Sequence, residues 1–527
     1  MKISKLTYQE TGAFAPIVID YLAENPKLRQ YYKYTPDLES FAKAIEEKKS
    51  EPIDRELLYS VLKNQYAGFE VNEIVKTNIE LFRNKNTFCI VTAHQLNIFT
   101  GPLYVIYKII SVINLCRQLK ENYSQYNFVP VFWLGSEDHD FEEINHVNLF
   151  GKTYTWENKQ GGACGAYDPH SLQTLLDELK PVIGDSAHGQ YIYDLFSKAY
   201  LGQPTLAKSV RYYLNQLFQD KGLVIVDGND IELKKICSGI VEDELMHKIA
   251  FSLVSKSISE LQYDSQAQPR EINLFYLRDK LRERIIQQQN EFLINRTELK
   301  VTFDEVLTEL DEHPERFSPN VILRPVFQQK VLPSVAYIGG GSEIAYWLQL
   351  KTLFEHFHIQ FPVLVLRNSV LVIESAGVKK MKKLDLSISD LFKSEEDLIK
   401  KYLKENAGEL FSLGNEKTSV TDLFQRILQK AMRADPSLDK AVLAEQQNIL
   451  NALEKLESKF VKAQKTKSEN EVNMIKAIKQ KLFPGGLQER TDNFIPLYLK
   501  FGNELFTELY KALDPLEKQF TVLSEAE

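Results

Sequence analysis

The sequence predicts an α/β protein: a buried parallel sheet of the nucleotide-binding type, followed by a C-terminal coiled-coil arm of helices. Three observations predict it. Short, almost wholly apolar strands alternate with helical stretches up to about residue 383, the pattern of a sheet covered on both faces. Polar clusters follow several of those strands directly. Beyond that point the strands stop, and apolar residues recur at heptad spacing.

Residues 1–85 read as helices with polar connections, as between Ile53 and Leu81. Thr87–Thr92 is the first strong strand. The loop AHQLNIFTGP leads into a helix from about Pro102 to Leu119, and Pro102 suits a first helical turn. Phe128–Leu134 is the next strand, and the pattern returns at Leu223–Asp227, Val335–Ile338 and Val363–Leu366. The stretch near 152–215 interrupts this rhythm and reads as an insertion, with GGACG as a loop. Within 439–482, Val442, Ile449, Leu453, Leu456, Phe460 and Ala463 follow one another at spacings of 7, 4, 3, 4 and 3. Val472, Ile475, Ile478 and Leu482 make a second run. So few heptads suit a hairpin or short arm, with a plain helical bundle as the alternative, and Pro484-Gly485-Gly486 ends the run. The expected domains are a core over 1–383, a helical coiled-coil domain over 384–510 and a C-terminal helix or tail over 511–527.

At 527 residues, 44% hydrophobic and 26% charged, the chain builds a large core in two or three units. A net charge of −8, with no region dominated by Lys and Arg, argues against a nucleic-acid partner. The start, MKISKLTYQETG, lacks a signal-peptide core, and no apolar run approaches the ~20 residues of a spanning helix. Cys89, Cys116, Cys164 and Cys237 form no CxxC pair, so neither a zinc knuckle nor a redox dithiol is signalled. Reduced thiols in the cytoplasm are the expectation.

Ligands of open parallel sheets bind beyond the carboxyl ends of the strands, which singles out five polar clusters. His94, Gln95, Thr100 and Gly101 lie between the first strand and its helix, where a phosphate could sit; a plain turn is the alternative. Ser136-Glu137-Asp138-His139-Asp140, with Glu143 and His146, crowds ionisable groups after a buried strand. That density suits proton transfer, ribose binding or Mg²⁺. Arg270-Glu271-Ile272-Asn273 offers a guanidinium for a carboxylate or phosphate, or a structural ion pair. Asn320 and Arg324 could contact an anion. Gly339-Gly340-Gly341-Ser342-Glu343 is a glycine loop between strand and helix, unlike either a dinucleotide fingerprint or a P-loop.

The blocks TGPLYVIYKIIS (100–111), FVPVFWLGSEDHDFEEINH (128–146), REINLFY (270–276), FSPNVILRPVFQQKVLPSVAYIGGGSEIAYW (317–347) and LQERTDNFIPLYLKFG (487–502) together resemble the cysteine ligase (BshC) family of bacillithiol biosynthesis. The resemblance spans nearly the full chain. It implies a Rossmann-like core similar to nucleotidyltransferases and class I aminoacyl-tRNA synthetases, connecting-peptide insertions and a coiled-coil domain. It implies addition of L-cysteine to glucosaminyl-malate through an amide bond. Carboxylate activation then calls for ATP and Mg²⁺, and no structural zinc is expected. On this reading Asp138, His139 and Asp140 are catalytic. Arg270, Asn320, Arg324, Gly339, Gly340, Gly341 and Glu343 bind substrate, and His94, Gln95, Thr100, Gly101 and Ser136 bind nucleotide. The expected partners are small molecules and a second copy through the coiled coil, with no membrane. Two signatures of adenylating relatives are missing: HQLNIFTGP has one His of a HIGH-type motif, and no KMSKS occurs. A nucleotidyltransferase acting on another acid, or a nucleotide-binding scaffold with a recruiting arm, remain the alternatives.

Overall fold

The computed structural model describes residues 1–407 and 413–526. The chain divides into two compact units. The larger comprises 3–371 and 486–523, and the smaller 1–2, 372–485 and 524–527.

The larger unit is organised by a parallel sheet. Strand β1 (Thr87–His94) runs into helix α1 (Tyr104–Asn122), then β2 (Asn127–Leu134) and β3 (Val224–Asp227). An antiparallel sheet follows, built from β4 (Leu274–Arg278), β5 (Leu281–Gln288), β6 (Glu291–Ile294), β7 (Lys300–Thr302) and β8 (Phe317–Pro319). Helix α2 (Arg324–Val331), β9 (Ser334–Gly339), helix α3 (Gly341–Trp347) and β10 (Val363–Leu366) return the chain to the parallel sheet.

The parallel sheet has the order β10-β9-β1-β2-β3, and its strands are the five apolar runs read from the sequence. Their side chains are buried almost throughout because helices cover both faces. The chain steps from β1 outward to β3, then crosses to β9 on the other side of β1. That reversal opens a crevice at the carboxyl ends of β1 and β9, where open sheets bind ligands.

The antiparallel sheet, ordered β7-β6-β5-β4-β8, was not legible. Strand β5 reads LRERIIQQ, too polar for an apolar-run search. Its flanking turns carry no glycine: Lys280 and Gln289 take positive φ, 57° and 53°. The span near 152–215 adds a small hairpin and the helices Gln173–Ile183, Ala187–Gly202 and most of Leu206–Phe218. One expectation fails near the end. Strands do not stop near Lys383, since Gln519–Ser524 is a strand with Phe520, Thr521, Val522 and Leu523 buried.

In the smaller unit, helices α4 (Gly414–Ala434) and α5 (Asp439–Lys467) form a hairpin, tied by a Lys417–Glu457 ion pair at 2.6 Å. In α6 (Glu469–Leu482), Val472, Ile475, Ile478 and Leu482 are buried. In α5, Val442, Leu453 and Phe460 are half-buried, whereas Ile449 and Leu456 stay 40% and 41% exposed. Gly485 and Gly486, both with positive φ, end this unit, so the expected 384–510 span is divided there. Residues 486–523 belong to the larger unit: Glu489 pairs with Arg367 at 2.8 Å, and Asn493 donates to the carbonyls of Phe99 and Gly101. No helix among the described residues is long and apolar enough to cross a membrane.

Candidate active site

The crevice at the β1/β9 reversal opens into a cavity of about 1060 Å³. Its floor is the carboxyl end of the parallel sheet, with His94 and Gln95 after β1, Glu137–Asp140 after β2, Gly340–Glu343 after β9 and Arg367 after β10. A wall comes from the antiparallel sheet and the segment before it, including Arg270, Phe275, Arg282 and Arg284.

The floor holds an ion pair whose cation is buried. Lys108 is 2% exposed, in the apolar first turns of helix α1, and its ammonium pairs with Glu343 and donates to the Ala93 carbonyl at 2.9 Å. Glu343 also accepts from the Tyr337 hydroxyl at 2.5 Å and the Gly340 N–H at 2.7 Å. Burial alone would raise this carboxyl; Lys108 and Tyr337 outweigh it and hold it below the ordinary 4.5. Gly339 allows the arrangement, because a Cβ there would lie 2.9 Å from the Glu343 Cβ and 3.0 Å from the Tyr337 ring. Burial, and then Lys108, push the His94 imidazole down to about 3, so it is neutral at physiological pH. The Tyr104 hydroxyl lies 3.4 Å from its Nε2.

The second cluster lies after β2. Asp138 accepts from the Gln95 amide at 3.1 Å, and Gln95 also donates to Glu143. Burial raises the Glu143 carboxyl above its usual range, with Gln95 opposing. Arg282 donates to His139 Nδ1 at 2.6 Å, lies 3.6 Å from Asp138 and stacks 3.9 Å over the Phe275 ring. Burial, and then Arg282, lower the His139 imidazole, which leaves Nδ1 unprotonated as the acceptor.

The structure brings most of the sequence-predicted residues together. His94, Gln95, Asp138, His139, Asp140, Arg270, Asn320, Arg324, Gly340, Gly341 and Glu343 all line the cavity. Four do not. Gly339 lies beneath the floor. Thr100 is 2% exposed, and Gly101 faces a smaller neighbouring cavity that also holds His146. The positive φ of Gly101, 68°, admits the Asn97 side chain, which a Cβ would meet at 2.6 Å, so this glycine serves packing. Ser136 is buried and donates to Asp227. The side chains of Glu271 and Asn320 bond elsewhere than to the arginine near each in sequence. Glu271 pairs with Lys248, not Arg270. Asn320 donates to Asn273 at 2.9 Å, while Arg324 donates to the Tyr346 hydroxyl at 2.9 Å and to Gln328 at 3.0 Å.

The comparisons agree with this architecture. The family model described as "Bacillithiol biosynthesis BshC, N-terminal Rossmann-like domain" matches residues 1–368, and that described as "Bacillithiol biosynthesis BshC, C-terminal coiled-coil domain" matches 370–525. The chain belongs to the BshC family. Its fold is the family's Rossmann-like core with a coiled-coil domain, and bacillithiol biosynthesis is the role for which the family is described. Among its relatives are proteins named "Putative cysteine ligase BshC" from Flavobacterium psychrophilum, 40% identical over 99% of both chains, and from Christiangramia forsetii, 41% identical over 99% of both. The Flavobacterium johnsoniae protein of that name is 40% identical over 98% of this chain and 99% of its own.

Lys108, Arg282, Arg284 and Arg367 were not singled out from the sequence. Two had signals: Lys108 is the lone cation within YVIYKIISVI, and Arg367 directly follows an apolar strand. Arg282 and Arg284 had none, because their wall forms only by long-range pairing.

Proposed function

We propose that this cavity joins L-cysteine to glucosaminyl-malate through an amide bond, driven by ATP. The observation that supports the reading is the cavity's division of charge at the sheet's switch point. Glu137, Asp138, Asp140 and Glu143 stand after β2, where an amine would be held. Arg270, Arg282 and Arg284 stand on the opposing sheet and its lead-in, where carboxylates would be held. Joining a carboxylate to an amine in water is uphill, and ATP when bound supplies the activation of the carboxylate. His94 and Gln95, which line the floor, would hold its phosphates. Mg²⁺ suits this donor set when carried by the nucleotide, since Asp138 and Glu143 offer two carboxylates bridged by the Gln95 amide rather than a closed cage.

The amine must lose a proton as it attacks. Asp138 and Glu143 are the acceptors, with Glu143 tuned toward neutrality by burial. Because His139 Nδ1 accepts from Arg282, His139 presents Nε2–H to the cavity and acts as a donor. The experiment is thiol profiling of a strain lacking this protein. Bacillithiol is expected to vanish while glucosaminyl-malate accumulates; unchanged bacillithiol would overturn the reading.

We also propose that the α4–α5 hairpin docks on a second copy of this chain. Val442, Ile449 and Leu456 repeat every seven residues along α5, and the latter two remain exposed on the single chain. The double variant Ile449→Glu/Leu456→Glu should therefore fold normally yet shift a dimer to monomer by light scattering. A wild-type monomer, or a dimeric variant, refutes this.

A further inference from the structure

A buried chain of hydrogen bonds begins away from the cavity and ends at its rim. Glu244, in helix Ser238–His247, is fully buried, and no cation pairs with it among the described residues. Its carboxylate instead accepts three N–H bonds: from the Ala250 backbone at 3.0 Å, from the Asn273 backbone at 2.9 Å and from Asn273 Nδ2 at 2.8 Å. Burial pushes this carboxyl up, and the Ala250 and Asn273 donors oppose it. Asn273 is fully buried too. Its Nδ2 also donates to the Arg270 carbonyl at 2.8 Å, and its Oδ1 accepts from the Arg270 N–H and from Asn320 Nδ2, both at 2.9 Å. Asn320 Oδ1 in turn accepts from the N–H groups of Ile322 and Leu323 at 2.9 and 3.3 Å, just before α2 begins at Arg324. Arg270, Asn320 and Arg324 line the cavity; Glu244 and Asn273 do not. The Asn320 amide is therefore spent on the protein itself.

An ionised carboxylate accepts and never donates, so it fixes which way each amide in the chain points. Asn273 must turn its Nδ2 to Glu244, which leaves Oδ1 for Arg270 and Asn320. Asn320 must then give its Nδ2, which leaves its own Oδ1 for the start of α2. We propose that Glu244 is a positioning residue of the cavity: through Asn273 and Asn320 it holds the Arg270 backbone and the first turn of α2, which carries Arg324. A buried carboxylate with no cation is costly, and here N–H donors alone sustain it. A neutral amide in its place could point either way, and the order of the chain would be lost. The consequence for substrate rests on the reaction proposed above, in which Arg270 meets the acceptor.

Hydrogen exchange and steady-state kinetics on the full chain test this with Glu244→Gln, which keeps the shape and loses the fixed polarity. Backbone amides of 270–273 and 320–324 should exchange at least about tenfold faster than in the wild type, and those of β1 and β2 less than about twofold faster. The KM for glucosaminyl-malate should rise at least about fivefold, with kcat and the KM for ATP within about twofold. Uniform acceleration across all segments would mean that Glu244 serves general stability, and it overturns the assignment; so does the absence of local acceleration. In a protein that turns over, local loosening with an unmoved acceptor KM overturns it too. If Glu244→Gln unfolds, Asn320→Asp carries the test. It keeps an acceptor for Ile322 and Leu323 but cannot donate to Asn273 Oδ1, so 270–273 should loosen and the acceptor KM rise as above. Exchange needs no turnover, so local loosening in a protein that makes no bacillithiol would sink the proposed reaction and leave the positioning role standing.

Discussion

Glu343→Ala is expected to destabilise the protein by about 3–5 kcal/mol, because it leaves the Lys108 ammonium buried without its carboxylate. Lys108 is 2% exposed, and the Ala93 carbonyl would be its one remaining partner among the described contacts. The Tyr337 hydroxyl and the Gly340 N–H lose their acceptor as well. Replacing both members of the pair removes the stranded charge, so Lys108→Met/Glu343→Gln should recover most of the loss, since a buried pair contributes little net stability over apolar packing. Urea unfolding of both variants measures this, and a single variant no less stable than the double would refute the coupling. The pH dependence follows from the carboxyl's lowered folded value. The pair's contribution is complete above about 4.5 and disappears as pH falls through that lower value, when the folded state must finally take up the proton.

What was legible follows from what is local. The five strands of the parallel sheet are buried on both faces, so each appears as an apolar run, and the site rule needs only the residue after the strand. His94, Asp138 and Glu343 were found that way. The antiparallel wall obeys different physics. Its central strand β5, LRERIIQQ, is neither an apolar run nor a clean alternation, and its turns rely on Lys280 and Gln289 at positive φ, where glycine or asparagine would have signalled a hairpin. Arg282 and Arg284 were therefore invisible, although they complete the cavity's charge pattern. Gly101 erred the other way. Its place between strand and helix suits a phosphate or a plain turn, and its conformation accommodates Asn97, a contact with no signature in sequence. The heptads of α5 were visible, yet spacing alone does not say which positions close the hairpin and which stay open.

Asp138→Asn is expected to slow amide formation at least ~10²-fold while leaving stability close to wild type. The side chain is only partly buried, 34% exposed, so the isosteric change strands no buried charge. Asn can keep one of the two bonds that the carboxylate accepts, since its single oxygen can stand in for Oδ2, which takes the Gln95 amide, or for Oδ1, which takes the backbone N–H of His139 at 2.8 Å. What it loses is the negative charge beside Arg282 and the capacity to take a proton. If Asp138 receives the proton of the attacking amine, the loss appears in the single-turnover rate, and the acceptor's affinity stays nearly constant. Glu143→Gln is the control that divides the work. Burial raises that carboxyl, so it is the better base near neutral pH. Should Glu143→Gln cost the larger factor and flatten the acid limb of the rate profile, Glu143 is the base and Asp138 orients the amine through its charge. Near-wild-type turnover in Asp138→Asn would remove this residue from the chemistry altogether, and the opposed-charge reading of the cavity would lose its acidic half.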